Sequence, residues 1–499
     1  MDVPAFFGLA GGSDSCFIRN KKKGIHMIHD SDTLRLGRRS VMAAAGMGAV
    51  AALTSTVVGA ERANASVTDR SRQRVVVIGG GVAGVAIAWL LDGQHDVTLL
   101  EAAPQLGGHA ASMPIDTFEG RRVMIDIGAQ FFGPASHPIY NELVTSVLQV
   151  PTVPNQLDNT VIQYGVSTPI MVSPSVDRPI TDVLQYLPAL QAVAELMSGA
   201  RDLEIRRDWD VTVVDLVETM GVDEVIKQNF VYPYVASVNG ATISQVKEFS
   251  ARAALALAVR PLVGEGGEAR TEYVNARDGL QAVVAAMTDE FTNVTTLVNT
   301  PAVGLARHGG RYKITDARGQ VHLADQVVLA LPPEPAAVLV AQMPHADPLV
   351  RTYGRFRYMP ARIAIHQDPV YMPASKADWS SFNITRDGEY CEASISYARL
   401  RDDIDVFKSW ALHRREEPKQ LLASMDFRHP MLTPDFIRAQ AVLQRRNGKD
   451  GLWYAGSHVF DVDSQESALY SALTIAATLA PGSVNRARFG TLPTSPAAP

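Results

Sequence analysis

Cysteine is almost missing from this chain. Only Cys16 and Cys391 occur in 499 residues. Cys16 falls in a segment that reads as removable, so the remaining chain has one thiol and cannot close an internal disulfide. A C-x-x-C redox pair and a thiolate metal cluster are excluded with it. Long basic runs are also missing. The net charge is -6, and the part after residue 65 holds 38 basic and 47 acidic residues. An acidic body of this kind argues against nucleic acid as a partner. There is no H-E-x-x-H helix, no G-x-S-x-G elbow and no P-loop, so metalloprotease, serine-hydrolase and kinase chemistry have no foothold. No internal repeat is visible. What is present is ordinary for a soluble globular protein: 46% hydrophobic and 20% charged residues. The length suggests two to three domains at roughly 150 residues each.

The N-terminus reads as an address. Arg38-Arg39 precedes an Ala- and Gly-rich apolar run that continues to Ala60, and Ala63-Asn64-Ala65 follows as a cleavage signal. The pattern resembles a twin-arginine export signal over residues 1–65. The run is weakly hydrophobic, which fits removal better than a permanent span. The expectation is a periplasmic or extracellular protein that meets the twin-arginine export machinery and keeps no stable membrane span. Met27 is an alternative start that would shorten the segment before the arginines.

Beyond the signal, Val75–Ile78 is a continuous β-branched run, the pattern of a strand buried on both faces. The turn Gly79-Gly80-Gly81-Val82-Ala83-Gly84 follows, then an apolar helix through Leu91. A second strand, Asp96–Leu100, is closed by Glu101. This is a βαβ unit with a G-x-G-x-x-G fingerprint in the right context. The first glycine allows the tight turn, the second lets the backbone approach a pyrophosphate, and the third packs helix on strand. The pyrophosphate then meets free N–H groups at the helix start. Glu101, 22 residues after Gly79, suits ribose hydroxyls and repels a 2′-phosphate. The motif does not decide between FAD and NAD. Further along, Gln326–Leu331 and Leu452–Gly456 read as strands, and Ser467–Ala480 as a helix. Residues 150–270 look mostly helical, residues 345–440 mixed, and the Pro/Ser/Ala-rich tail from Arg486 disordered.

Three further stretches decide for FAD. Glu101-Ala102-Ala103-Pro104-Gln105-Leu106-Gly107-Gly108-His109, Asp126-Ile127-Gly128-Ala129-Gln130, and Tyr454-Ala455-Gly456 with Gln465-Glu466-Ser467-Ala468-Leu469 resemble the successive flavin motifs of the flavin amine oxidase superfamily. More narrowly, the GGH doublet, Phe356–Pro360, Asp368-Pro369, Met372-Pro373 and Phe427–Pro430 resemble bacterial NAD/FAD-binding oxidoreductases associated with fatty-acyl modification. The resemblance implies an α/β fold. A Rossmann-like FAD-binding domain of the amine-oxidase type (66–150, 276–345 and 441–485) is interleaved with an α+β substrate domain (151–275 and 346–440), and a tail spans 486–499. It also implies a cofactor set of Gly79, Gly81, Val82, Ala83, Gly84, Glu101, Gly107, Gly108, His109, Gly128, Ala129, Gln130, Ala302, Gly456, Glu466, Ala468 and Leu469. The Cys-containing tether of some amine oxidases is absent, so FAD is expected to be non-covalent. The lysine that many amine oxidases hold near flavin N5 finds no match. His109 stands where many relatives have Arg, and Ser457 where many have an acid.

The implied reaction is hydride transfer from a small-molecule C–H to flavin N5, with reoxidation by oxygen or another acceptor. No catalytic side chain and no metal site can be named. Gln130, Phe131 and Phe132 are candidate pocket floor, and Tyr232, Tyr234 and Tyr454 candidate walls, with core packing as the bland reading for each. His109 and His458 are read as catalytic or as packed. Asp461, Asp463 and Glu466 are read as helix caps or as amine recognition. Three functions stay open: an amine-type oxidase, a desaturase or isomerase of an apolar acyl substrate, and an FAD-binding electron carrier without chemistry of its own. The small apolar run Ala253–Val259, bracketed by Arg252 and Arg260, could line an acyl tunnel and reads equally well as ordinary helix packing.

Overall fold

The computed structural model describes residues 72–175, 177–263, 273–400 and 404–490. The twin-arginine segment over 1–65 and the last nine residues lie outside them. The chain runs β1 (Arg74–Ile78), α1 (Val82–Leu91) and β2 (Asp96–Leu100), then leaves for β3 (Asn159–Gln163), β4 (Met171–Val172), α2 (Leu187–Arg206) and α3 (Ala251–Val259). It returns with α4 (Leu280–Asp289), β5 (Val294–Leu297) and β6 (Gln326–Leu329). It departs again for β7 (Tyr358–His366), β8 (Phe382–Asp387), β9 (Tyr390–Ser396), β10 (Phe407–Trp410) and β11 (Leu421–Pro430). It returns once more with β12 (Leu452–Tyr454) and α5 (Gln465–Leu479), followed by a short helix, Val484–Ala487.

These passes build two large sheets. The first is parallel throughout, in the order β12-β6-β1-β2-β5. The second has the order β11-β7-β10-β9-β8-β3-β4 and is antiparallel except where β3 joins β8. The apolar run of β1 is explained by its position. Val75 and Val77 enter one core with α1 and α5, while Val76 and Ile78 enter another on the opposite face. Each such side chain contributes about 1.5–3 kcal/mol on burial. Every residue of α1 is buried, which is why this helix shows no polar stripe.

Local expectations shift in three places. The stretch after residue 150 opens in strands, Thr152–Asn155, β3 and β4, and becomes helical only from Ile180. In β3 the β-branched residues Thr160, Val161 and Ile162 lie buried beside β8 and decide for strand. The strand expected to reach Leu331 stops at Leu329, because Pro332 and Pro333 start a helix. The tail expected to be disordered from Arg486 is anchored as far as 490. Phe489 is buried edge-on against Trp89, and Arg488 donates to the Val147 carbonyl at 2.5 Å. No helix among the described residues is long and apolar enough to cross a membrane.

Candidate functional site

The Gly79–Gly84 turn follows from glycine geometry. Gly79 has φ +107°, and a Cβ there would sit 2.3 Å from the Ala330 carbonyl oxygen. A Cβ on Gly84 would lie 1.8 Å from the Gly79 carbonyl oxygen, so α1 starts hard against the turn. Gly81 differs: a Cβ on it would meet nothing within 4 Å. This open space lies at the start of α1, whose first turn has no side-chain cap and therefore presents free N–H groups. Val82 and Ala83 bury their side chains with α5, so only their backbone faces the opening.

The other motifs close around that opening. Glu101 accepts from the Gly80 amide at 2.6 Å and the Ala103 amide at 2.7 Å, which fixes its carboxylate beside the turn. Its carbonyl accepts from Thr300, and Ala302 follows two residues later at the start of the next strand. The Gly107 amide donates to the Gly80 carbonyl at 2.8 Å, and a Cβ on Gly108 would lie 3.2 Å from Gly81 Cα. His109 is exposed and edge-on to Phe427, with ring centres 5.4 Å apart. Gly128 passes so close to the His109 carbonyl that a Cβ would sit 2.1 Å from its oxygen, and the Ala129 amide donates to that oxygen at 2.8 Å. Asp126 turns away and accepts from the Leu280 amide at 2.8 Å at the start of α4.

On the far side, Gly456 has φ +139° and donates its amide to Ser471 Oγ at 3.0 Å, pinning the end of β12 to α5. Ser464 caps α5. Capping by the acidic residues is therefore corrected. Asp461 is held by Arg260 in two bonds of 2.6 Å each, and Arg260 in turn meets Glu204, which also binds Arg252. Glu466 accepts from the Ile139 and Tyr140 amides at 3.1 and 2.7 Å, and burial raises its carboxyl to about 7. Ala468 and Leu469 pack into the core with α1. Asp463 is partly exposed, with one buried oxygen that finds no partner.

The side chain the sequence did not reveal is Lys408. It is buried on β10, and its ammonium donates to the Gly128 carbonyl at 2.7 Å and to Gln130 Oε1 at 3.1 Å. Burial lowers its pKa to about 8, partly offset by the charge of Asp126. A lysine between Phe407 and Ser409, two residues before Trp410, in a strand is a local signal. Its meeting with residue 128 is not. Trp410 lies on the same face of β10 and is edge-on to His429, with ring centres 5.3 Å apart. Burial lowers His429 to about 4. Phe131 leans on Phe382, and its carbonyl accepts from Gln465 at the start of α5.

The expected walls do not gather here. Tyr232 bonds Glu218, Tyr234 packs on Phe230, and Tyr454 lies against Tyr353. Phe132 is core against Tyr140. His458 packs between Phe356 and Tyr353, and burial lowers it to about 4. Ala253 to Ala256 are buried in the core that α3 shares with α2.

The family model for flavin containing amine oxidoreductases matches residues 82–383. The chain belongs to this family. It is a flavin-dependent oxidoreductase. No curated protein matches the chain. Among solved structures, cyclohexylamine oxidase from Brevibacterium oxydans IH-35A aligns with a TM-score of 0.58 at 17% identity, covering 82% of this chain and 99% of that one. A CLA-producing fatty acid isomerase from P. acnes aligns with a TM-score of 0.57 at 14% identity, over 82% and 99%. A putrescine oxidase redesigned in cofactor binding aligns with a TM-score of 0.57 at 15% identity, over the same shares. At these identities the likeness is one of fold, and the amine oxidoreductase fold is what the two interleaved sheets form.

Proposed function

We propose that this flavin amine oxidoreductase holds FAD non-covalently and oxidises an amine at a C–H bond. Lys408 carries the reading: a buried ammonium fixed between Gly128 and Gln130, on a strand that also presents Trp410. The residues fit the cofactor. Gly81 and Gly108 leave backbone open where a side chain would obstruct, and Glu101 stands ready beside the turn. Gln130 Nε2 and Asp463 Oδ1 are buried polar atoms without protein partners, as groups awaiting a polar ligand would be. Among the described residues the only cysteine is Cys391, buried with its thiol pushed up to about 12, which suits no covalent tether. FAD, when bound, supplies the two-electron acceptor for a substrate hydride.

The chain's own part is positioning and proton control. Lys408 can hold or release a proton at Nζ near neutral pH. Trp410 and Phe427 offer aromatic faces to a cationic substrate, and Asp463 an acceptor. Ala253–Ala256 pack in the core, so they lend the acyl reading no particular support. Export through the twin-arginine route, with its periplasmic or extracellular destination, is part of the proposal and rests on Arg38-Arg39 and Ala63-Asn64-Ala65. Changing both arginines to lysine should keep the protein inside the producing cell.

The test is spectroscopic. Purified full-length protein should show oxidised flavin bands, release FAD on heating, and bleach anaerobically with one or more members of an amine panel. Bleaching by unsaturated fatty acids alone would replace the amine reading with acyl chemistry. Flavin that stays with the precipitate would overturn non-covalent binding.

A further inference from the structure

A second cleft lies on the face of the seven-stranded sheet that points away from the cofactor turn. Direct partners in an antiparallel pair share a face. Lys408 pairs with Ile395 and Ser409 with Ser394. Glu392 and Ser394 therefore face opposite to Lys408, and Thr385 is the direct partner of Glu392. Thr385 and Glu392 are 7% and 9% exposed, and both line a cleft of about 350 Å³. That volume is at the small end of ligand sites, which run about 300–1,000 Å³.

The floor of this cleft is polar and incompletely satisfied. Glu392 Oε1 accepts from the Leu412 and His413 amides at 2.9 and 3.1 Å. Glu392 Oε2 and Thr385 Oγ1 are buried with no hydrogen-bond partner. Arg414 lies beside them, its Nε 3.4 Å from Glu392 Oε2. Its Nε and Nη2 donate to the carbonyls of Trp410 and Glu392 and to Ser394 Oγ. Its Nη1 has no partner among the described residues. Aromatic rings bound the cleft: Tyr371 beneath the Arg414 guanidinium at 4.4 Å, and Tyr390 stacked on His413 at 4.1 Å.

A lone anion would meet Glu392, and a lone cation would meet Arg414. A molecule carrying both charges satisfies both sides, its ammonium on Glu392 Oε2 and Thr385 Oγ1 and its carboxylate on Arg414 Nη1. We infer that this cleft is a second binding site, separate from the flavin chemistry, for a small zwitterion of the amino-acid type with an apolar or aromatic side chain.

The experiment is anaerobic calorimetric titration of the flavin-loaded full chain with L-phenylalanine, and with phenethylamine and 3-phenylpropanoate as probes that each lack one charge. L-phenylalanine should bind at one site without altering the visible flavin spectrum. Each one-charge probe should bind at least about ten-fold more weakly, the scale of one lost charge-assisted bond. Glu392→Gln and Thr385→Val should each weaken L-phenylalanine while flavin content holds, and Thr385→Val should also keep the parent melting temperature. Glu392→Gln keeps the acceptor for Leu412 and His413 but gives up the ion pair with Arg414, so it should melt somewhat lower, and Thr385→Val is the variant that leaves the local fold intact. Absence of binding heat, a single-charge probe binding equally well, or unchanged affinity in both variants would overturn the inference. Binding that perturbs the flavin spectrum and persists in Glu392→Gln would place the probe at the flavin and overturn it as well.

Discussion

The two sheets handle polarity in opposite ways. In the strands of the parallel sheet the buried side chains are aliphatic apart from Trp453 and Tyr454. In the seven-stranded sheet, Thr160, His366, Asn383, Thr385, Glu392, Ser394, Lys408 and Ser409 are all buried. The parallel sheet is covered on both faces and leaves its chemistry to the backbone: glycines that bring amides close, and helix starts that leave N–H groups free. The other sheet places chemistry on side chains, on both of its faces. Specificity by backbone depends on room, whereas specificity by side chain depends on partners. The two should therefore fail differently on mutation.

The largest effect is expected in the backbone region. Gly84→Val forces atoms into the Gly79 carbonyl, beyond the ~1–3 kcal/mol of ordinary overpacking. Purified protein should be scarce, colourless and low-melting. Gly81→Val sharpens the contrast, since nothing opposes the new side chain in the fold. Its polypeptide should melt like the flavin-free parent but fail to retain flavin. Equal loss of fold in both variants would remove the distinction between a packed and an open glycine.

Next comes Arg260→Met, which leaves Asp461 and Glu204 without their shared cation. Breaking a buried pair costs about 3–5 kcal/mol, and denaturant titration should show a loss of that size. Lys408→Met should cost less stability, about 1–3 kcal/mol for the acceptors it strands. Anaerobic stopped-flow should show flavin reduction slowed by about 10²–10⁴, the range of one positioned proton-transfer group. A wild-type rate would reduce Lys408 to a packing role. Its folded pKa is lowered, so its contribution to stability is present above the unfolded value and is lost as pH falls through about 8. The smallest effect is that of Glu466→Gln. The raised pKa of Glu466 means its contribution is present below the ordinary Glu value and is lost as pH rises through about 7. The variant should flatten the melting curve against pH by roughly 2–4 °C over that window.

Much of the glycine-rich turn was legible because its signals are local. A glycine with φ +107° before a helix, a second at Gly81 and an acid at the end of the next strand are written within 23 residues. The surroundings of Lys408 were not. Lys408 looks like any strand lysine until the register sets it against Ile395 and the fold brings it to Gly128, 280 positions earlier. The acidic residues around the start of α5 looked equivalent, yet Arg260 took one, the 139–140 amides took another, and Asp463 kept an unpartnered oxygen.

By itself the sequence determined the βαβ turn, the acidic residue beside it, the later glycine motifs and hence the family, because each depends on backbone conformation at neighbouring residues. Only the tertiary structure decided which aromatics face the site, which carboxylates are consumed by partners, and where the buried lysine and the second cleft lie. Those outcomes depend on which distant strands become neighbours. A side chain's burial, its charge state and its partners are set by that pairing and not by the residues beside it in the chain.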